Sequence, residues 1–182
     1  MNTAEKIAAT YLRLNGFLLL PHFTVFEGGN HCHVDLIGLR AARSVEVANE
    51  RELVVDEQFF DAVAQLISLP KESYLGVVAE VRTNENRPEL RADRIDYVRR
   101  FLGETLIAPM RFYDSSGNPK VEGDVVCVDI RYAMCWILDH IRSMNEDHPR
   151  LTKDGSWTWS EESLSDILVL FRYGFLRSEP SA

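Results

Sequence analysis

The chain has 182 residues, 46% of them hydrophobic and 26% charged, which sets it among ordinary soluble globular proteins with enough apolar surface for a core. That length suits a single domain over 1–182, with a core over about 3–113 and a C-terminal extension over about 114–182. The net charge of −8 counts against a general nucleic-acid binder, whose affinity comes from neutralising phosphates, but it leaves room for a local basic face.

Residues 3–15 read as a helix. Asn2 or Thr3 can cap it, Ile7, Ala8, Tyr11 and Leu12 share a face, and Gly16 follows as a stop. Phe17–Phe26 reads as a strand, the run Glu27-Gly28-Gly29-Asn30 as a turn, and His31–Arg40 as the second arm of a hairpin. Residues 41–55 fit a short hairpin or an irregular excursion. Asp56 can then cap a helix to about Ser68, ended by Pro70. Tyr74–Thr83, YLGVVAEVRT, has the apolar run of a central strand covered on both faces. Pro88 suits the first turn of a helix through Leu102, closed by Gly103. Beyond it the pattern predicts strand 105–113, loop 114–119, strand 121–130 and helix 131–144. A last helix starts at Ser160, with Leu164, Ile167, Leu168 and Phe171 as its stripe. The expected fold is α/β (α+β): a central mixed sheet flanked by helices, with a C-terminal strand-and-helix extension.

The start, MNTAEKIAATYLRLNG, is amphipathic rather than basic-then-apolar, so no secretion signal is expected. The apolar run at 17–20 is stopped by Pro21, well short of the roughly 20 residues of a membrane helix. Cys32, Cys127 and Cys135 are odd in number and lack CxxC spacing, which points to reduced thiols and a cytoplasmic location.

Three residues carry candidate chemistry. Asp35 lies inside an apolar strand, where an unpaired carboxylate is expensive. Glu80 and Arg82 lie two apart in AEVRT and project to one face. Two carboxylates on neighbouring strands form an oxygen site suited to Mg²⁺ or Mn²⁺. A cation beside them can stabilise the charge that develops in phosphodiester attack. The bland alternative is an ion pair of Asp35 with Arg82 or Arg40, or a polar stripe on a half-exposed strand.

Taken together, a helix with an acidic residue, a strand, the strand HVDLIGLR and the strand VVAEVRT followed by a helix resemble the PD-(D/E)XK superfamily of restriction-endonuclease-like nucleases. The resemblance covers roughly residues 4–103. It implies that Asp35 and Glu80 hold a metal, that Glu5 is the helix acid of the catalytic set, and that position 82 carries the cation that handles water. Here position 82 is Arg, not Lys. Arginine is effectively always protonated and cannot act as a base, so its role is electrostatic, or cleavage is weak or lost. The implied function is metal-dependent hydrolysis of DNA or RNA. The alternative is a non-catalytic protein that uses the same fold as a subunit, homo-oligomer or partner-binding module.

Other features have simpler readings. Glu5 stands three residues after Asn2, a capping-box spacing. Regular alternation puts His31, His33 and Asp35 on one face, without the further ligands zinc needs. Arg87, Arg91, Arg94, Arg99 and Arg100 interleave with Glu89, Asp93 and Asp96 as a solvated, salt-bridged face, with Asp96 and Arg100 as an i,i+4 pair. Trp157 and Trp159 read as core or lid contacts.

Overall fold

The computed structural model describes residues 1–27, 30–41, 47–48, 51–52, 54–68, 74–82, 89–103 and 105–147. The elements run α1 (Thr3–Leu14), β1 (Leu18–Glu27), β2 (Asn30–Ala41), β3 (Val47–Ala48), β4 (Arg51–Glu52), α2 (Glu57–Leu66), β5 (Tyr74–Val81), α3 (Ala92–Leu102), β6 (Leu106–Tyr113), β7 (Lys120–Glu122), β8 (Val125–Asp129) and α4 (Ile130–Asp147). Contacts divide the chain into a unit Met1–Trp136 and a unit Ile137–Ala182. All the described strands lie in the first unit. The expected last helix from Ser160, Trp157 and Trp159 fall outside the described residues. Among the described residues, no helix is long and apolar enough to cross a membrane.

Six strands form one mixed sheet in the order β1-β2-β5-β6-β8-β7. β1, β2 and β5 are antiparallel in succession, and β6 is parallel to both β5 and β8. β3 and β4 make a separate two-stranded hairpin within the 41–55 excursion. The predicted strand 121–130 is corrected: Gly123, at φ +67, turns the chain so that β7 folds back antiparallel onto β8. The predicted helix from Pro88 is also corrected. It begins at Ala92, because Leu90 is pulled into the core ahead of the first turn.

Helices cover both faces. On one, α1 has the expected capping box, with Asn2 Oδ1 accepting from Glu5 N and Glu5 Oε2 accepting from Asn2 N. Its Tyr11 meets Phe59, Phe112 and Trp136 edge-on, at centroid separations of 5.4 to 6.0 Å. The Tyr11 hydroxyl donates to buried Asp56 Oδ2 at 2.6 Å, and Asp56 also caps α2 through Phe59 N. Tyr132 donates to the same carboxylate, and Asn15 Oδ1 accepts from Asp56 N. Desolvation and the Asp56 charge both push the Tyr11 phenol up. On the opposite face, Ile95 and Val98 of α3 pack against Val25, Val34, Ile37, Val78 and Ile107.

The hairpin β1–β2 does not keep one alternation along its length. Phe17 meets Phe59 and Phe60, and Leu19 lies where a Cβ on Gly38 would be, both on the α1 side. Four residues on, Phe23 meets Tyr97 and Phe101 of α3. On β2, Val34 and Ile37 both reach the α3 core although they are three apart. The reversal falls at His22, which has φ 51, and at Asp35, the two positions skipped in the pairing between Pro21↔Leu36 and Phe23↔Val34. A residue in the left-handed region changes the direction of the chain, so the pleat restarts with the opposite phase.

Candidate functional site

The reversal sets the stage for Asp35. The β2–β5 ladder ends at Leu36↔Ala79, and one further step places Asp35 opposite Glu80. At that step the side chain takes over from the backbone: Asp35 Oδ2 accepts from Val81 N at 2.8 Å. The Val81 amide keeps a partner and the strands stop pairing there. Asp35 is partly exposed, whereas Glu80 is buried at 6%.

Glu80 sits on the α3 face, as do Gly76 and Val78 on the same strand. Its Oε1 accepts from Arg94 Nη1 of α3 at 2.7 Å. Burial, then the Asp35 charge and a hydrogen bond with Asp35, push the Glu80 carboxyl from 4.5 up to about 7, against the opposing pull of Arg94. The two carboxyls thus share one locality.

The cation that pairs with Glu80 is not one of those foreseen. Arg82 is exposed just past the end of β5, where its N–H continues the parallel ladder to Phe112 O at 2.8 Å. Arg40 serves the other layer. Its Nη1 donates to Asn15 O at 2.6 Å, and its guanidinium lies over Phe60 and Phe17. Arg94, assigned from sequence to a solvated helix face, instead turns inward. Its neighbours keep the surface character: Asp96 pairs with Arg99, and the Arg100 side chain donates to the Asp96 carbonyl.

Glu5 is placed in the capping box, and its Oε2 lies 3.5 Å from His22 Nε2. His22 is the residue across from Asp35 in the hairpin, so Glu5 approaches the neighbourhood from the β1 side. The single-face grouping of His31, His33 and Asp35 is corrected by the change of pleat at Asp35. His33 Nδ1 lies 3.2 Å from Thr24 Oγ1 at an exposed cross-strand position.

Asp35 and Glu80 offer a hard cation two carboxylates, each with one oxygen engaged by an N–H donor. That set fits Mg²⁺ or Mn²⁺, which take one or two carboxylates and complete their shell with water and substrate oxygens. Among the described residues, no group of three or more His, Cys, Asp or Glu side chains is arranged to hold a metal.

A further arginine, which the sequence reading passed over, lies beside the pair. Register places Arg111 of β6 next to Glu80, and Ile107, Pro109 and Arg111 alternate onto the α3 face. The signal was available in IAPMRFY, a charged residue in an otherwise apolar strand. Comparison of the chain with protein-family models, with curated proteins and with solved structures gave no match.

Proposed function

We propose that this protein hydrolyses phosphodiester bonds of DNA or RNA with a divalent cation held by Asp35 and Glu80. The observation that carries the reading is the carboxyl pair itself. Two acids meet at a break in the sheet where one costly charge would already need a reason. The order α1, β1, β2, then β5 followed by α3 supports it, being the order on which the resemblance to PD-(D/E)XK nucleases rests.

Each residue has a physical task in this reading. Val81 N–H fixes one Asp35 oxygen, so the other is oriented toward Glu80. Arg94 holds Glu80 in place and favours its ionised form. Arg82, always charged, stabilises the extra negative charge of an attacked phosphate without moving a proton. A divalent ion bound there supplies Lewis acidity and lowers the pKa of a coordinated water.

One observation favours a second reading, a non-catalytic protein built on the same core. The Arg94–Glu80 ion pair supplies a structural countercharge that would keep Glu80 buried with no metal at all. Calorimetry with Mn²⁺ separates the two. Wild type should bind, and Asp35→Ala and Glu80→Ala should lose binding. Equal affinity in all three sinks the metal reading. Incubation with plasmid or single-stranded DNA and Mg²⁺ or Mn²⁺ then tests cleavage. Arg82→Lys should retain it and Arg82→Ala should lower it about a hundredfold.

A further inference from the structure

Following the sheet row that contains the acidic pair leads across the strands. Asp35 adjoins Glu80 one step past the end of the β2–β5 ladder, Glu80 stands beside Arg111, Arg111 beside Cys127, and Cys127 opposite Lys120. Alternation sets Glu80 and Arg82 on one face of β5 and Arg111 on the same face of β6. Since Arg82 N bonds to Phe112 O, Arg82 and Arg111 are diagonal neighbours across the β5–β6 ladder.

Arg111 is unusual among the arginines here. It is partly buried, and its Nε is shielded from solvent with no hydrogen-bond partner. Among the described residues it makes no ion pair. Glu80, its neighbour in the row, is held by Arg94 and raised by Asp35, and Arg111 contributes to neither effect. A guanidinium is a fork of five N–H donors, and leaving a buried donor unsatisfied is expensive. An oxyanion is the ligand whose geometry best fits such a group.

We propose that Arg111, with Arg82 on its diagonal, forms an anion subsite that takes a phosphodiester oxygen of the substrate beside the Asp35–Glu80 pair. As a substrate subsite it rests on the reading of the protein as a phosphodiesterase. Arg111 would bind and orient the phosphate group, and Arg82 would close the outer side of the subsite. Lys120, farther along the row and exposed, pairs with Glu122 at 3.1 Å, so the subsite ends at Arg111. The two arginines give an overall acidic protein a local site for phosphate.

The test is a titration of the full chain with inorganic phosphate in the presence of a chelator, followed by NMR shifts and by thermal melting. Wild type should bind saturably and melt at a higher temperature with phosphate. Arg111→Gln should weaken binding about tenfold or more, since charge-assisted bonds dominate such a contact. Arg111→Lys should keep part of the affinity. Arg99→Gln, which removes a surface arginine paired with Asp96, should leave it unchanged. The Arg111→Gln melt without phosphate shows whether the fold is intact; if it is not, the comparison rests on Arg111→Lys and Arg82→Gln, both of which should bind more weakly than wild type. No saturable binding by wild type, or undiminished binding by the folded Arg111 variants, overturns the proposal. The Mn²⁺ titration described above is independent of it: phosphate binding without Mn²⁺ binding sinks the metal reading alone, and the reverse sinks the anion subsite alone.

Discussion

Arg94 reaches Glu80 from the first turn of α3, with Nη1 donating to Oε1 at 2.7 Å and both side chains largely removed from solvent. Arg94→Met keeps the aliphatic packing and removes the countercharge. Glu80 then faces Asp35 unassisted, and its carboxyl should rise further above about 7. We expect a loss of about 3 kcal/mol at pH 8 by urea unfolding, in the range for breaking a buried ion pair. At pH 5, where Glu80 is protonated, the loss should be much smaller. Equal losses at both pH values would mean that the pair does not work through charge.

The wild-type pH profile follows from the same residue. The folded Glu80 carboxyl lies at about 7, above its ordinary value of 4.5. A group raised on folding contributes stability that is complete below the unfolded value and is lost as pH climbs through the folded one. Glu80 should therefore favour the fold at pH 4.5 and cease to do so by about pH 8, a swing of about 3 kcal/mol. Glu80→Gln should flatten that part of the profile. Comparing urea midpoints of the two proteins between pH 4.5 and 8.5 isolates the effect from other titrating groups.

Asp35 has two separable tasks, one electrostatic and one as an acceptor. Asp35→Asn keeps an oxygen for the Val81 amide but removes the charge, so stability at pH 8 should hold or improve while Mn²⁺ affinity falls. Asp35→Ala loses the acceptor as well, and the stranded amide should cost about 1–2 kcal/mol relative to Asn. Thermal melts of both variants check this. An alanine variant as stable as the asparagine variant would show that water replaces the acceptor.

Much of the frame was legible in the chain. Asn2 and Gly16 bracket α1, the strands expected on either side of residues 28–29 pair as β1 and β2, and LGVVAE marks the buried middle of β5. The choice of Asp35 and Glu80 came from strand parity together with the resemblance. Three things were hidden for different reasons. The change of pleat at His22 and Asp35 escaped because a period-2 reading assumes an unbroken strand; Pro21 was its one local sign. The inward turn of Arg94 was masked by a helix whose other arginines do face water, and only tertiary packing distinguishes them. The β7–β8 turn was signalled by Gly123-Asp124, but the apolar residues on both sides read as one strand.

Asp56 is the joint of the α1 side. Its carboxylate accepts from Tyr11, Tyr132 and Phe59 N, and its amide donates to Asn15. Asp56→Ala should therefore cost more than an ordinary cap, about 3 kcal/mol or above, because two phenols lose their acceptor together with α2. Tyr132→Phe, which removes one donor, should cost about 1 kcal/mol. Urea titration of the two variants gives both figures. A loss in Asp56→Ala no larger than in Tyr132→Phe would show that the network adds nothing beyond one bond.

The change of phase within β1 and β2 means that a single hairpin serves two masters. Its first half, with Phe17 and Leu19, belongs to the layer under α1, and its second half, with Phe23 and Val25, to the layer under α3. Fraying either layer drags on strands that the other also needs. Amide protons in the two halves of β1 that bond across to β2, though the side chains serve opposite layers, should therefore exchange with solvent in one common opening event rather than two.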